Sequence, residues 1–437
     1  MTTTEIILTG AKILDVDNKR ISEGNIRIRQ GLIAGIDPPG TSYHTGAEII
    51  DVSGHYVSPG FIDSHLHIES SMVSPLAFSE RVLEHGTTSV FVDPHEIANV
   101  AGTKGIDFFL GQSNRAPMDI FVGIPSCVPA TPLEAAGAAI SLTDIEKYVS
   151  DPNVYGLAEM MNFPGIISGN GDAREKVDYV YNYGKIVDGH CPGVSGDKLR
   201  TYVSNGHNDD VVRILSDHES TSAEEVMEKY QAGMWLMLRY GSASKDLNTI
   251  LPDLLAADHP LERLLLCSDD VDPLELQEEG HVNRIITRAR DIFQQHTGME
   301  LQEATLTAVA LATSHPAHYF SKFFRFHEHA PVGQIATGYK ANLVVFQSLE
   351  KLDIESVYYE GEMVVENGAY IGERQDTDYA ELLDTVHLDR HLTAADFSIP
   401  IEDGVQSPKV RVIRAIPGSL VTESFTTSVP HENGKFL

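Results

Sequence analysis

The stretch PGFIDSHLHIESSM, residues Pro59–Met72, joins an apolar strand to a pair of histidines. Residues two apart in a β-strand point to the same side, so His65 and His67 can both face the mouth of a barrel. Two imidazoles at that spacing are suited to bind a metal ion. The alternative is a pair of surface histidines in a loop, and the apolar run PGFID directly before them favours the metal site.

Further apolar segments follow along the chain, and helical patterns that begin at Ser74 and Ser222 lie between them. The eight predicted strands are Tyr56–Ile62, Thr88–Asp93, Asp119–Pro125, Val154–Glu159, Ile186–His190, Val212–Asp217, Met234–Arg239 and Arg263–Ser268. Eight β/α units of roughly 30 residues match a TIM barrel. A doubly wound open sheet competes, but no GxGxxG or phosphate-binding loop follows any strand.

Both flanks of this region are rich in short strands. Strands are predicted at Glu5–Leu8, Lys12–Val16, Asn25–Arg29 and Leu32–Ile36, and the pattern returns in PVGQIATGYKANLVVF and SVYYEGEMVVENG. We therefore predict an α/β fold: a (β/α)8 TIM barrel with a small β-sandwich domain built from both chain ends. The sandwich takes residues 1–57 and 326–375 and the barrel takes 58–325. Residues 376–437 are expected to be a linker and the start of a shortened C-terminal domain.

Composition restricts the partners. The chain has 437 residues, 42% of them hydrophobic, and a formal net charge of −31. Such acidity disfavours nucleic acids and anionic membranes and suits a neutral heterocycle or a cation. There is no basic-then-apolar leader, no apolar run near the ~20 residues of a membrane span, and no CxxC among three cysteines. We expect a cytoplasmic protein.

Titratable side chains close most of the predicted barrel strands, at the end where TIM barrels carry their chemistry. They are His65 and His67, then Asp93, His95 and Glu96, then Glu159, His190, His218 with Glu219, and Asp269 with Asp270. Imidazoles and carboxylates together are ligands for Zn, Fe or Mn, and no thiolate is needed.

Each of these residues also has a structural alternative. A lone carboxylate in the apolar strand VYGLAEM is costly to bury unless paired, so Glu159 is favoured as a bridging metal ligand over a structural ion pair. His190 and His218 could be core histidines, but they end strands in the same register as His65. Asp269 is favoured as a ligand and proton acceptor, with Asp270 as the cap of the next helix.

The roles of the remaining strand-end residues stay open. Asp93, His95 and Glu96 could form a substrate contact or an additional metal site, or only a structural turn. Glu219 is either a partner for the substrate or an early helix residue. The histidines outside this register are expected to be structural or at the rim; they are His207, His281, His315 and His318.

These motifs resemble a known family. PGFIDSHLHIESSM resembles the first-strand motif of the amidohydrolase superfamily. The set HLHIESSM, HGTTSVFVDPHEIANV, GLAEMMNFPGI, VDGHCPGVSG, SDHE and CSDD with EEGHVNRII resembles bacterial and archaeal adenine deaminases. The resemblance implies hydrolysis of adenine, a small purine, to hypoxanthine and ammonia. It also implies two divalent metal ions, usually Mn²⁺ or Fe²⁺ with Zn²⁺ as an alternative, bound by His65, His67, Glu159, His190, His218 and Asp269.

In the reaction that this resemblance implies, an activated water attacks C6 of the purine. Asp269 is expected to pass the water proton towards the departing amine, and Glu219 or Glu96 to hold a ring nitrogen. The zinc deaminases that use a PCxxC motif are excluded, because the chain lacks it. Two alternatives remain: another amidohydrolase acting on a cyclic amide or aminated heterocycle, and a catalytically impaired homologue. A homodimer is expected.

Overall fold

A computed structural model describes residues 5–44, 46–385, 387–388, 390–401, 405, 407–417, 421–432 and 435–436. The first flank carries strands β1 (Ile6–Asp15), β2 (Arg20–Arg29), β3 (Leu32–Asp37), β4 (Glu48–Asp51) and β5 (Tyr56–Pro59).

The central region alternates strands with helices. Its strands are β6 (Phe61–Leu66), β7 (Thr87–Val92), β8 (Asp119–Ile124), β9 (Val154–Met160), β10 (Ile186–Gly189), β11 (Ser216–Asp217), β12 (Trp235–Arg239) and β13 (Leu264–Cys267). Its helices are α1 (Pro75–Leu83), α2 (His95–Ala101), α3 (Thr103–Ser113), α4 (Leu142–Tyr148), α5 (Phe163–Ser168), α6 (Gly171–Tyr183), α7 (Gly196–Val203), α8 (Ala223–Gln231), α9 (Leu247–Ala256), α10 (Pro273–Glu278), α11 (Val282–Thr297), α12 (Leu301–Ala310), α13 (Ser314–Tyr319) and α14 (Ser321–Phe326).

The second flank carries β14 (Leu343–Phe346), β15 (Ile354–Tyr359), β16 (Glu362–Glu366) and β17 (Ala369–Tyr370). Beyond it lie β18 (Lys409–Ala415), β19 (Thr422–Ser428), β20 (His431–Glu432) and β21 (Lys435–Phe436), in two antiparallel pairs. In this terminal segment the runs VRVIRAIPG and SLVTESFTTSVP have the pattern of strands, and they correspond to β18 and β19. Residues 418–420, where the two runs meet, lie outside the described part of the chain.

Strands from both flanks form one nine-stranded sheet. Its order is β17-β16-β15-β14-β5-β1-β2-β3, and β4 pairs with β1. The junction between the flanks is the antiparallel pair β14 and β5, in which Val345 lies opposite Val57. The two ends of the predicted small domain therefore meet, as the sequence indicated.

The central strands form two parallel sheets, β10-β9-β8-β7-β6 and β11-β12-β13. These sheets touch at both pairs of edges. On one side Asp269 N donates to His65 O and His67 N donates to Asp269 O, each at 3.0 Å. On the other side Leu215 N donates to Val187 O at 2.9 Å. The strand ends of both sheets therefore face one common space.

The strand predictions need correction in three places. The strand expected at Tyr56–Ile62 is interrupted at Gly60, so that β5 joins the nine-stranded sheet and β6 joins a parallel sheet. Gly60 lies so close to the side chain of Thr88 that a Cβ would collide with it. The strand expected at Val212–Asp217 is only Ser216–Asp217, because Arg213 and Ile214 donate their amides to Val203 O instead. Near the N-terminus, the two predicted strands are one, β1, with a bulge between Leu8 and Ala11.

Local signals explain the helix starts. Ser74 accepts a hydrogen bond from Ala77 N at the start of α1, and Ser222 accepts one from Glu225 N at the start of α8. The three cysteines are free and buried. Among the described residues, no helix combines the length and the apolar character needed to cross a membrane.

A buried ion pair fixes the short strand β11. Lys229 of α8 and Asp217 are both fully buried, and Lys229 Nζ lies 2.6 Å from Asp217 Oδ2. The second oxygen, Asp217 Oδ1, accepts the amides of Glu219 and Ser220. This carboxylate thus orients the chain that directly follows β11.

We predict that Lys229→Met lowers the free energy of unfolding by about 3–5 kcal/mol, because it leaves a buried carboxylate without its cation. Urea denaturation measures the change. The control is Lys245→Met, which removes a partly exposed pair with Glu275 at 3.2 Å and should cost about 1 kcal/mol or less. Equal losses in the two variants would contradict the anchoring role of Lys229.

Candidate metal centre

The six residues predicted as metal ligands lie together in the common space at the strand ends. His65 is in β6, His67 follows that strand, and Glu159 is in β9. The other three come one or two residues after a strand; they are His190 after β10, His218 after β11 and Asp269 after β13. All six are buried. Their nitrogen and oxygen atoms, together with those of Glu219, fall into overlapping groups in which all ligand atoms lie within 4.8 Å of one another. The groups are His65–His67–Asp269, His65–Glu159–His218 and His190–His218–Glu219.

Glu159 is at the centre of this cluster. Its Oε2 lies 2.8 Å from His218 Nε2, 3.1 Å from His190 Nδ1 and 3.6 Å from His65 Nε2. Burial opposes ionisation of this carboxyl, but hydrogen bonds from His190 and His218 outweigh it and hold the pKa of Glu159 well below its usual range. The carboxylate is therefore in contact with both halves of the cluster.

The other half is organised around Asp269. Its Oδ1 lies 3.3 Å from His67 Nε2 and 3.8 Å from His65 Nε2. Burial would lower the pKa of His67, but the charge of Glu96 and the hydrogen bond with Asp269 carry it well above its ordinary value. His67 Nδ1 lies 2.9 Å from Asp93 O, which turns its Nε2 towards the cluster.

The residues whose role the sequence left open border this cluster on one side. His95 Nδ1 lies 3.3 Å from Asp93 Oδ2 and also 3.3 Å from Glu159 Oε1. Burial works against protonation, yet the charge of Asp93 raises the pKa of His95 to about 9. Glu96 Oε2 lies 3.6 Å from His67 Nδ1, and its side chain is 38% exposed. His67, Asp93, His95 and Glu159 form a further group of candidate ligands.

Glu219 borders the cluster on the other side. Its Oε2 lies 3.6 Å from His190 Nε2, and its side chain is 23% exposed. The two partly exposed carboxylates, Glu96 and Glu219, thus stand beside opposite halves of the cluster, and both can reach a small molecule that enters from solvent.

Sequence reasoning missed Arg239, the last residue of β12. It is 1% exposed, and its Nη1 lies 3.0 Å from Asp269 Oδ2. Its Nη2 donates to Asp246 Oδ2 at 2.8 Å. Arg239 therefore fixes one oxygen of Asp269 and leaves the other facing His65 and His67. The signal in the sequence was a cation at a strand end, in register with the other site residues.

The helix cap was assigned to the wrong aspartate. Asp272, not Asp270, accepts the amides of Leu274 and Glu275 at the start of α10. Asp269 has a left-handed φ of 60°, so the chain turns after it and α10 begins later. Asp270 instead accepts a hydrogen bond from Ser70.

Four histidines that were assigned structural or rim roles lie outside the cluster. His281 is buried, with Nε2 at 3.1 Å from Asp63 Oδ2 and Nδ1 at 2.9 Å from Thr87 Oγ1. His207 pairs with Asp178 at 2.9 Å. His315 and His318 line a separate cavity.

The cluster fits divalent cations. Its donors are imidazole nitrogens and carboxylate oxygens, and buried His65 Nε2 has no hydrogen-bond partner among the described residues. Buried polar atoms are normally satisfied, so this nitrogen indicates that a further group belongs here.

Comparison with known proteins agrees with this geometry. The amidohydrolase family profile matches residues 56–364. An adenine deaminase of Desulfatibacillum aliphaticivorans is 37% identical over 434 residues, which covers 99% of this chain and 70% of the relative. Adenine deaminase 2 of Carboxydothermus hydrogenoformans is 35% identical, with 99% and 69% covered. Among solved structures, the β-aspartyl dipeptidase of Fervidobacterium islandicum aligns with a TM-score of 0.59 at 16% identity, over 85% of this chain and all of that one.

Proposed function

Because the chain belongs to the amidohydrolase family, and within it to the adenine deaminases, we propose that it hydrolyses adenine to hypoxanthine and ammonia. The proposal depends on one observation above all. Every residue that the family resemblance assigns to a metal, from His65 to Asp269, lies in one buried cluster. A homodimer and a cytoplasmic location remain predictions from the sequence.

We also infer that β6 to β13 close into a complete (β/α)8 barrel. The backbone hydrogen bonds between the β6 and β13 edges, and between the β10 and β11 edges, support closure at both seams. Strands from both flanks share an apolar cluster that includes Ile13, Val57 and Leu343, which supports a β-sandwich made from both chain ends. The barrel would then span about residues 58–325, and the sandwich 1–57 with 326–375.

Two cations account for the donor set. His65, His67 and Asp269 would hold the first, His190 and His218 the second, and Glu159 would bridge them. Charge supports the binding of cations. Arg239 is the one Lys or Arg in contact with the carboxylates of the site among the described residues, and it also pairs with Asp246. Carboxylates therefore outnumber basic side chains, which favours divalent cations; the carboxylates of the site are Asp93, Glu96, Glu159, Glu219 and Asp269.

Mn²⁺ and Fe²⁺ suit this mixture of imidazole and carboxylate donors, and Zn²⁺ is the alternative. When bound, such cations supply Lewis acidity that brings the ionisation of water close to neutral pH.

The chain's own residues would then move the protons. Asp269 Oδ2 is held by Arg239, so Oδ1 is the atom that accepts a proton from the attacking water and delivers it to the leaving amine. Glu219 and Glu96 would contact ring nitrogens of the purine from opposite sides, because both are partly exposed and adjoin different halves of the cluster. Asp93 and His95 would either contact the substrate beside Glu96 or hold an additional cation.

The direct test is to incubate the metal-loaded protein with adenine, adenosine and guanine and to follow the ultraviolet spectrum and ammonia release. We expect adenine to be converted to hypoxanthine with stoichiometric ammonia, and the other two to be left unchanged. Turnover of a cyclic amide without any ammonia from adenine would contradict the proposal and favour another amidohydrolase reaction.

Replacing the proton acceptor should separate chemistry from metal binding. Asp269→Asn keeps an oxygen towards His65 and His67 but removes the base, so ammonia release should fall by at least about a hundredfold. Metal content, measured by plasma mass spectrometry, should stay near wild type. Asp270→Asn is the matched control, because Asp270 bonds Ser70 outside the cluster and its loss should leave turnover nearly unchanged. Full activity of the Asp269 variant would rule out its role.

Glu159→Gln tests the bridge independently of activity. The amide cannot bind two cations as a carboxylate does, so metal content should drop from two ions per chain to one or fewer. Glu303→Gln, an exposed residue of α12 outside every group of candidate ligands, should retain two. Two ions retained in Glu159→Gln would show that this carboxylate does not bridge.

A further inference from the structure

A cavity of about 1070 Å³ lies away from the metal centre, at the opposite ends of two of the same strands. It is lined where β12 and β13 begin, by α12 to α14, and by the turn after β1. Pockets that bind small organic molecules commonly have volumes of about 300–1,000 Å³. The cavity can therefore hold a ligand larger than a free purine base.

Several planar side chains line the cavity. Trp235, at the start of β12, and His318 lie with ring centroids 5.5 Å apart, and Phe324 and Tyr339 also line the space. Aromatic walls favour a flat ring over a flexible chain, because a rigid ring has few internal bond rotations to lose when it stacks.

The lining has more basic than acidic side chains, whereas the whole protein is strongly acidic. Lys19, Arg263 and Arg325 outnumber Asp17 and Glu262, in a chain with a formal net charge of −31. Arg263 is engaged with the carbonyls of Tyr230 and Met234 at 2.7 and 3.0 Å, and Gln334 donates to Asp17. Lys19 and Arg325 are exposed at the rim and have no charged partner among the described residues. These two cations are free to bind an anionic group.

We propose that this cavity is a second ligand site, for a planar heteroaromatic molecule that carries an anionic group, of the size of a nucleoside monophosphate. The ring lies against Trp235, and Lys19 and Arg325 bind the phosphate. The site is separate from the metal centre and does not depend on the proposed reaction.

The chain's only tryptophan lies in this cavity, so its fluorescence reports binding directly. The wild-type protein is titrated with adenosine 5′-monophosphate, with adenosine and with inorganic phosphate. We expect saturable quenching by the monophosphate, at least tenfold weaker binding of adenosine, and no quenching by phosphate alone.

Variants locate the site. Arg325→Ala, at the exposed rim, should weaken monophosphate binding about tenfold, and Lys19→Ala should weaken it to a similar extent. The matched control, Arg200→Ala, removes an exposed arginine of α7 that pairs with Asp197, and should leave binding unchanged. Asp269→Asn should also bind normally, which separates this site from the catalytic one. No saturable quenching, or quenching that Arg325→Ala leaves unchanged, would overturn the proposal.

Discussion

The site depends on the backbone contact between the first and last strands of the parallel region. Asp269 N donates to His65 O, and Asp269 O accepts from His67 N, so one residue is held between two others about two hundred positions earlier in the chain. This places the two histidines and Asp269 within a few ångströms of one another. No local property of either segment could do so, because each supplies only half of the hydrogen bonds.

Beneath the cluster, buried charges orient the residues that face it. Arg239 fixes Asp269, and the Lys229–Asp217 pair fixes the backbone after β11, where His218 and Glu219 are found. Asp63 accepts the amides of His65 and Ser268 on the opposite side. A buried charge is tolerated only with its partner, so these contacts restrict each ligand to one position. Gly241 contributes by its lack of a side chain, since a Cβ there would collide with the backbone oxygens of Ser268 and Asp270.

Strand periodicity is a local property, so the sequence alone indicated which side chains meet at the strand ends. The spacing indicated His65 and His67, and a single acid in an apolar strand indicated Glu159. Their role as metal ligands stays a prediction. The sequence could not predict the tertiary contacts. Arg239 is fixed by Asp246 and Asp269, and only the fold brings the three together. The break falls at Gly60, where the chain passes close to Thr88, and the cap lies at Asp272 because the chain makes a left-handed turn at Asp269. The second cavity combines residues 16–19 with residues 235–339, and no motif marks it.

The parallel strands also separate charge along their length. The carboxylates of the metal centre lie at their carboxyl ends, with Arg239 as the one Lys or Arg in contact with them among the described residues. At their amino ends the cavity lining holds Lys19, Arg263 and Arg325 against Asp17 and Glu262. β12 carries Trp235 at one end and Arg239 at the other, a rise of about 13 Å over four residues. One strand thus contributes a side chain to each of two separate places, an acidic cluster and a cavity in which basic side chains are in slight excess.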